Sequence, residues 1–173
     1  VNISNVRGYG IYGYNPSDRA LASRCLFADT LSIFGASDYP SPSIGVLLSS
    51  NIGDCRFTNI EIMGTKYGFE LNNRISYMTN IHVWCGCLAG SDTADWWKDT
   101  IGILCRNGSR LCVTNVYLDT CYMALYASGN GSDIYINDLM YAEDTSVSGS
   151  NAYNGTLVFT DAKENRVFIN RGF

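Results

Sequence analysis

The stretch of this chain best suited to chemistry is Ser91-Asp92-Thr93-Ala94-Asp95-Trp96-Trp97-Lys98-Asp99. Two adjacent tryptophans in a polar loop fit a core poorly, and flat aromatic faces stack against the apolar face of a sugar ring as they do against other apolar surfaces. Asp92, Asp95 and Asp99 beside them offer acceptors for sugar hydroxyls, or carboxyls for acid–base work. The competing structural role is that one Trp plugs the loop onto the body while the Asp side chains cap turns. Further carboxylates stand at Glu70, Asp119 and Glu143. His82, the one histidine, lies in Met78-Thr79-Asn80-Ile81-His82-Val83, and Glu61 holds the matching place in Phe57-Thr58-Asn59-Ile60-Glu61-Ile62. A His/Glu pair can supply a base for β-elimination, with Tyr117 as a further proton carrier; more often such a pair is a surface hydrogen bond.

Other chemistries fit less well. Formal charge is −4 and the 12 Lys and Arg are scattered, so the basic stripe of a duplex-binding surface is missing and nucleic acid is not an expected partner. Seven cysteines (25, 55, 85, 87, 105, 112, 121) cannot all pair within one chain. Cys85-Gly86-Cys87 is not CxxC, and with one histidine a zinc site would need nearly all-thiolate ligation from scattered positions, so no metal and no cofactor is expected. Buried reduced thiols are the preferred reading. Asn2, Asn107, Asn130 and Asn154 begin N-x-[ST] triplets, which an Asn- and Ser-rich chain produces by chance.

The elements that position these groups are short strands. In 173 residues, 46% are apolar and 16% charged, with 17 Gly and 12 Tyr, a composition that suits one β-rich globular domain and disfavours long helices. No apolar run reaches the roughly 18 residues of a membrane span, so no membrane insertion is expected.

A repeat runs through the chain. Phe57–Ile62, Met78–Val83 and Val113-Thr114-Asn115-Val116-Tyr117-Leu118 superimpose, with a weaker copy at Ile136-Asn137-Asp138-Leu139-Met140-Tyr141 and outlying relatives at Ile3-Ser4-Asn5-Val6 and Ala28-Asp29-Thr30-Leu31. Ahead of each strong copy lies Ile44-Gly45-Val46-Leu47-Leu48, Tyr67-Gly68-Phe69-Glu70-Leu71 or Ile101-Gly102-Ile103-Leu104-Cys105, and Met123-Ala124-Leu125-Tyr126 precedes the weak one. From Gly45 to Gly68, Gly102 and Ala124 the steps are 23, 34 and 22 residues. Each unit reads as two or three strands of four to six residues, with Thr-Asn as a tight bend, because Asn tolerates the left-handed conformation. So small a unit cannot close a core, and stacking successive units buries every inward face. The expected fold is therefore all-β: a right-handed parallel β-helix solenoid of six to seven coils over residues 1–173. An ordinary β-sandwich is the alternative. Asn59, Asn80 and Asn115 would stack at one corner and bond along it. The chain opens at Val1-Asn2-Ile3-Ser4 already in strand pattern, which suggests a fragment of a longer protein.

In this frame the inserted segments, Phe34 to Ser43, Cys85 to Thr100 and Ala142 to Asn154, follow the same strand of the unit and would wall a groove on one side. Its expected floor has one outward row of Gly45, Gly68, Gly102 and Ala124, open to close approach by a ligand or another chain, and a second of Leu47, Glu70, Leu104 and Tyr126. Leu47 and Leu104 suit a subunit contact. Glycoside hydrolysis uses two carboxyls about 5 to 9 Å apart, and stacked strands about 4.8 Å apart bring carboxylates of neighbouring units into that range. Glu70 with Asp99 is the preferred catalytic pair, with Asp95 and Asp119 as alternates; Trp96, Trp97, Asp92, Glu143 and Tyr126 are the expected substrate contacts.

The Thr-Asn-Ile-x-Ile units, Ile-His-Val-Trp at 81–84, Tyr-Leu-Asp-Thr-Cys at 117–121 and the Gly/Tyr/Ser-rich turns resemble the right-handed parallel β-helix proteins of the pectate-lyase-like superfamily, bacteriophage tailspikes above all. That resemblance implies a homotrimer on a virion, serving host attachment, that binds a bacterial surface polysaccharide (capsule or O-antigen) and often depolymerises it. An endoglycosidase is expected ahead of a lyase. The alternatives are a non-catalytic glycan-binding or structural tail protein and a secreted bacterial polysaccharide lyase, although the acidic calcium cluster and following arginine of pectate lyases are not found.

Overall fold

The computed structural model describes residues 1–14, 25–35, 43–50, 52–85, 100–142 and 156–172. Thirteen strands run in chain order: β1 (Asn2–Val6), β2 (Tyr9–Gly13), β3 (Phe27–Gly35), β4 (Ile44–Leu48), β5 (Asp54–Met63), β6 (Tyr67–Leu71), β7 (Ile75–Trp84), β8 (Ile101–Arg106), β9 (Arg110–Asp119), β10 (Met123–Ser128), β11 (Asp133–Ala142), β12 (Thr156–Thr160) and β13 (Arg166–Gly172). Odd-numbered strands form a seven-stranded sheet and even-numbered strands a six-stranded sheet, each in unbroken chain order. Every pairing is parallel. An ordinary antiparallel sandwich is thereby excluded, since parallel neighbours cannot be joined by hairpins and the chain must cross to the other sheet between them.

The Thr-Asn bend falls inside the long strands rather than between two short ones. Asn59, Asn80 and Asn115 hold φ of 54°, 54° and 57°, and Asn5 and Thr30 share the conformation at 55° and 52°. Inward alternation pauses there: Phe57 and Ile60 are both buried with Thr58 and Asn59 between them, and β7 and β9 repeat the pattern. Asparagine suits the site because its short amide tolerates the left-handed region and can bond locally. The expected stack is present: Asn115 donates Nδ2–H to Asn80 Oδ1 at 3.1 Å, Asn80 to Asn59 at 3.0 Å, and Asn59 to Asp29 Oδ1 at 3.1 Å. The weak copy lacks the corner. Asp138 takes no left-handed φ and instead accepts from Asn137 and Arg171.

Val46, Leu48, Phe69, Leu71, Ile103 and Cys105 from the six-stranded sheet meet Ile60, Ile62, Ile81, Val83, Val116 and Leu118 from the seven-stranded sheet in one core, as their alternation predicts. Ile44 and Tyr67, which alternation along the same strands would also turn inward, are only half-buried, and Ile101 is buried outside that cluster.

The glycine row is a correction. Gly45, Gly68, Gly102 and Ala124 are buried, not outward. A β-carbon on Gly45 would lie 2.6 Å from Ile62 Cγ2, and one on Gly68 would lie 2.4 Å from Val83 Cγ1 and 2.5 Å from the Gly102 carbonyl oxygen. Each of these strands buries two consecutive residues (Gly45 and Val46, Gly68 and Phe69), so strict alternation misassigns the first. Close approach does occur there, but by the opposite sheet and the neighbouring strand of the same chain.

A second correction concerns the connections. Segments 36–43, 85–100 and 143–155 all lead from an odd strand to an even one, but the stretch between Gly13 and Phe27 is also long and leads from even to odd. Long segments therefore leave from both sides.

Candidate functional site

Glu70 sits on the outer face of β6, in a register row Tyr12, Leu47, Glu70, Leu104, Tyr126, Phe159. Its Oε1 lies 2.9 Å from Nε of Arg106, two residues beyond Leu104 on β8. The contact makes Glu70 the ion-pair partner of an arginine on the next strand. Leu104 has no exposed surface within the single chain, so it offers nothing to a subunit contact; Leu47 remains partly exposed. Tyr126 is engaged internally: its hydroxyl donates to Asp161 Oδ2 at 3.1 Å and its ring meets Phe159 edge-on at 4.9 Å. Asp161 also accepts from Ser128 Oγ at 2.8 Å and from the Gly129 amide at 2.9 Å. Those donors, the Ser128 hydroxyl foremost, hold the Asp161 carboxyl below its ordinary range despite some desolvation.

Asp119 lies on the other sheet, at the end of β9 and in register with Trp84, and so does not share a face with Glu70. It accepts from Thr120 Oγ1 at 2.7 Å and from the Tyr117 hydroxyl at 3.3 Å. Asp92, Asp95, Trp96, Trp97, Asp99 and Glu143 lie outside the described residues, in the connections from β7 to β8 and from β11 to β12.

The matching outward positions of the long strands do meet. Ser32, Glu61, His82, Tyr117 and Met140 form one register row. His82 Nδ1 stands 3.6 Å from Glu61 Oε1, and Ser32 Oγ donates to Glu61 Oε2 at 3.3 Å. The imidazole stacks on Tyr117 with centroids 4.8 Å apart and planes 5° from parallel. His82 Nε2 is enclosed and has no hydrogen-bonding partner among the described residues. Desolvation first, then the charge of Asp119, raises the Tyr117 phenol above its ordinary pKa. A groove of about 560 Å³ lies beside His82, Tyr117, Asp138 and Met140.

Sequence reasoning passed over a second outward row. Phe27, Arg56, Tyr77, Cys112, Tyr135 and Phe168 are in register across β3, β5, β7, β9, β11 and β13. The Arg56 guanidinium lies over the Phe27 ring at 5.9 Å and over the Tyr77 ring at 5.8 Å. Tyr135 and Phe168 stack at 4.9 Å with planes 6° from parallel. Phe27 is 66% exposed, Tyr77 41% and Phe168 47%. A groove of about 810 Å³ follows this row, with Thr79, Thr114 and Asn137 on its polar flank. The signal was present in the repeat: Phe27, Arg56, Tyr77 and Cys112 each stand three places before a left-handed corner residue, Thr30, Asn59, Asn80 and Asn115.

Next to that row, Asp133 is buried between two arginines. Arg166 reaches it with Nε to Oδ1 and Nη2 to Oδ2, both at 2.8 Å, and Arg110 Nη2 lies 3.4 Å away. Those contacts, Arg166 first, hold the Asp133 carboxyl below its ordinary range against desolvation. Among the described residues no three His, Cys, Asp or Glu side chains gather as metal ligands, and all six described cysteines are free thiols. Burial pushes the Cys105 thiol far up, and Cys85, packed against Cys121, is raised as well, so neither is a thiolate nucleophile at neutral pH. Comparison with protein-family models, with curated proteins and with solved structures finds no match to this chain.

Proposed function

We propose that the chain is a section of a right-handed parallel β-helix of the phage-tailspike kind, six to seven coils long, which attaches a virion as a homotrimer to a bacterial surface polysaccharide and cleaves it. The alternating two-sheet topology supports the β-helix reading: each odd–even strand pair then makes one turn of the chain. The observation that carries the glycan reading is the aromatic row of Tyr77, half-buried Tyr135 and Phe168 along a groove that crosses the strands, with exposed Phe27 further along the same row. A linear polymer lying across the stacked strands meets one outward side chain of this row at each strand step, about 4.8 Å, with Thr79, Thr114 and Asn137 alongside. Flat rings of this kind favour the apolar faces of sugars.

Two cleavage chemistries are compatible with the chain. Hydrolysis would use Glu70 and Asp99. Elimination would use His82 as base, oriented by Glu61, with Tyr117 returning a proton to the leaving oxygen. The Glu61–His82–Tyr117 cluster beside its groove supports elimination, since a carboxylate-paired imidazole stacked on a phenol holds a base and a proton donor on one face. Its substrate would be a uronate-containing polymer, in which the proton leaves C5 as the C4–oxygen bond breaks.

The test is incubation of the protein with a panel of bacterial capsule and O-antigen polysaccharides, following binding, new reducing ends and the absorbance of unsaturated uronate. Binding with absorbance supports elimination, reducing ends without absorbance support hydrolysis at Glu70 and Asp99, and binding with neither supports an adhesin. Absence of binding across the panel overturns the glycan reading.

A further inference from the structure

The aromatic row on the seven-stranded sheet lacks a ring at two steps: Arg56 fills one with its guanidinium, and Cys112 leaves the other open. Resting on the glycan reading above, we infer that the gap over Cys112, between Tyr77 and Tyr135, is a subsite that clamps a single pyranose ring edge-in between two aromatic faces.

The argument follows from the register. Tyr77, Cys112 and Tyr135 occupy successive strands β7, β9 and β11 at the same outward position. Each tyrosine has one face already covered: Tyr77 by the Arg56 guanidinium at 5.8 Å, and Tyr135 by Phe168 at 4.9 Å. The remaining face of each is directed along the row toward the Cys112 step. There the side chain is a single small thiol, partly exposed, at the base of the groove that Tyr77 and Tyr135 line. Two strand steps separate the tyrosines, about 9.6 Å. Tyr135 and Phe168 show that one step, 4.9 Å between centroids, is the stacking distance in this row. Room is therefore left for one inserted ring.

The dimensions choose the kind of ring. A flat aromatic ligand at carbon contact distances of about 3.5–4.0 Å on each side fills only about 7 to 8 Å of that gap. A pyranose chair, puckered and carrying axial hydrogens on both faces, fills the rest. Thr79, Thr114 and Asn137 on the polar flank supply donors and acceptors for the hydroxyls at the ring edge. Neighbouring steps of the row are already closed, by Arg56 on one side and by the Tyr135–Phe168 stack on the other, so the row gives one clamp and not a continuous platform.

The thiol makes the inference measurable. Iodoacetamide alkylation of the folded protein at pH 9, read by peptide mass mapping with and without each polysaccharide of the panel, reports the Cys112 step directly, and exposed Cys25 serves as the internal control for reagent. Expected is at least tenfold slower labelling of Cys112 in the presence of a bound polysaccharide, with Cys25 unchanged. Cys112→Tyr completes the row and is expected to weaken binding roughly tenfold or more without lowering the melting temperature, whereas Cys112→Ser leaves binding intact. If a polysaccharide binds while Cys112 labels at its free rate and Cys112→Tyr retains affinity, the clamp is wrong and the glycan reading survives. If none binds, both fall. The labelling measurement uses the unaltered protein, so a misfolded variant does not blunt it.

Discussion

Asn80 donates its side-chain amide to Asn59 at 3.0 Å and accepts from Asn115 at 3.1 Å, while its own backbone is held at φ 54°. One residue thus serves the corner twice, through its conformation and through the stack. The two roles separate by substitution. Asn80→Gly keeps the left-handed backbone and loses both amide bonds, at an expected cost of about 1 kcal/mol for this exposed pair. Asn80→Ala adds the strain of a β-carbon in that region and is expected to cost about 2 kcal/mol. Equilibrium urea unfolding checks the order; equal costs would mean that the conformation contributes nothing.

Gly68→Ala is expected to destabilise by about 1–3 kcal/mol or more, because the new carbon would meet both Val83 and the Gly102 carbonyl oxygen. Adding Val83→Ala relieves the side-chain clash but leaves the backbone one, so rescue should be partial. Glycan affinity measured on the folded fraction should not change, because this row faces the core.

Asp133 gives the fold an acid-sensitive component. Its carboxyl is held below the ordinary range when folded, so the stabilisation is present at neutral pH and is lost as pH falls through the depressed folded value. Asp133→Ala is expected to cost about 1–3 kcal/mol at pH 7, since it removes charge-assisted bonds from Arg166 while leaving both arginines half-exposed to water. In denaturant titrations from pH 7 to pH 2, the difference between wild type and variant should shrink toward the acid end.

His82→Asn and Tyr117→Phe test the elimination reading. Expected is loss of unsaturated product by at least 100-fold with binding of the polysaccharide within about threefold, which is the pattern of a removed acid or base. Unaltered product release in both variants would end that reading.

Glu70→Gln addresses the hydrolase reading. As the partner of a half-exposed Arg106, Glu70 should contribute no more than about 1 kcal/mol, so thermal unfolding should shift by a few degrees at most. Retained cleavage is the expected result. Lost release of reducing ends in a folded variant would return Glu70 to the chemistry.

The recurrence of Thr-Asn-Ile-x-Ile disclosed the strand register, the corner and the amide stack, because each depends on residue type at a fixed interval. Alternation also found most of the core. It failed at Gly45, Gly68 and Gly102, where the chain turns neighbouring residues inward and a β-carbon would meet both the opposite sheet and a carbonyl of the next strand. Conserved spacing between copies placed Glu61 beside His82 correctly. It offered no way to see that Glu70 meets Arg106, since that contact is diagonal between strands and Arg106 lies beyond the repeated motif. The aromatic row was legible but unread: its members differ in type, and an argument that follows identical letters does not see Phe, Arg, Tyr and Cys as one column.

Each strand pairs only with the one before and the one after it in its own sheet, and that has a hereditary consequence. A deletion or duplication that removes or adds a whole odd–even strand pair leaves every remaining ladder in register, so gene length can change in modules without a second compensating mutation. Such an event would, however, alter the alternation of long and short connections after odd strands, long at 36–43, 85–100 and 143–155 and short at 64–66 and 120–122. Lineages that preserve the spacing of those long segments should therefore differ in length by two modules at a time.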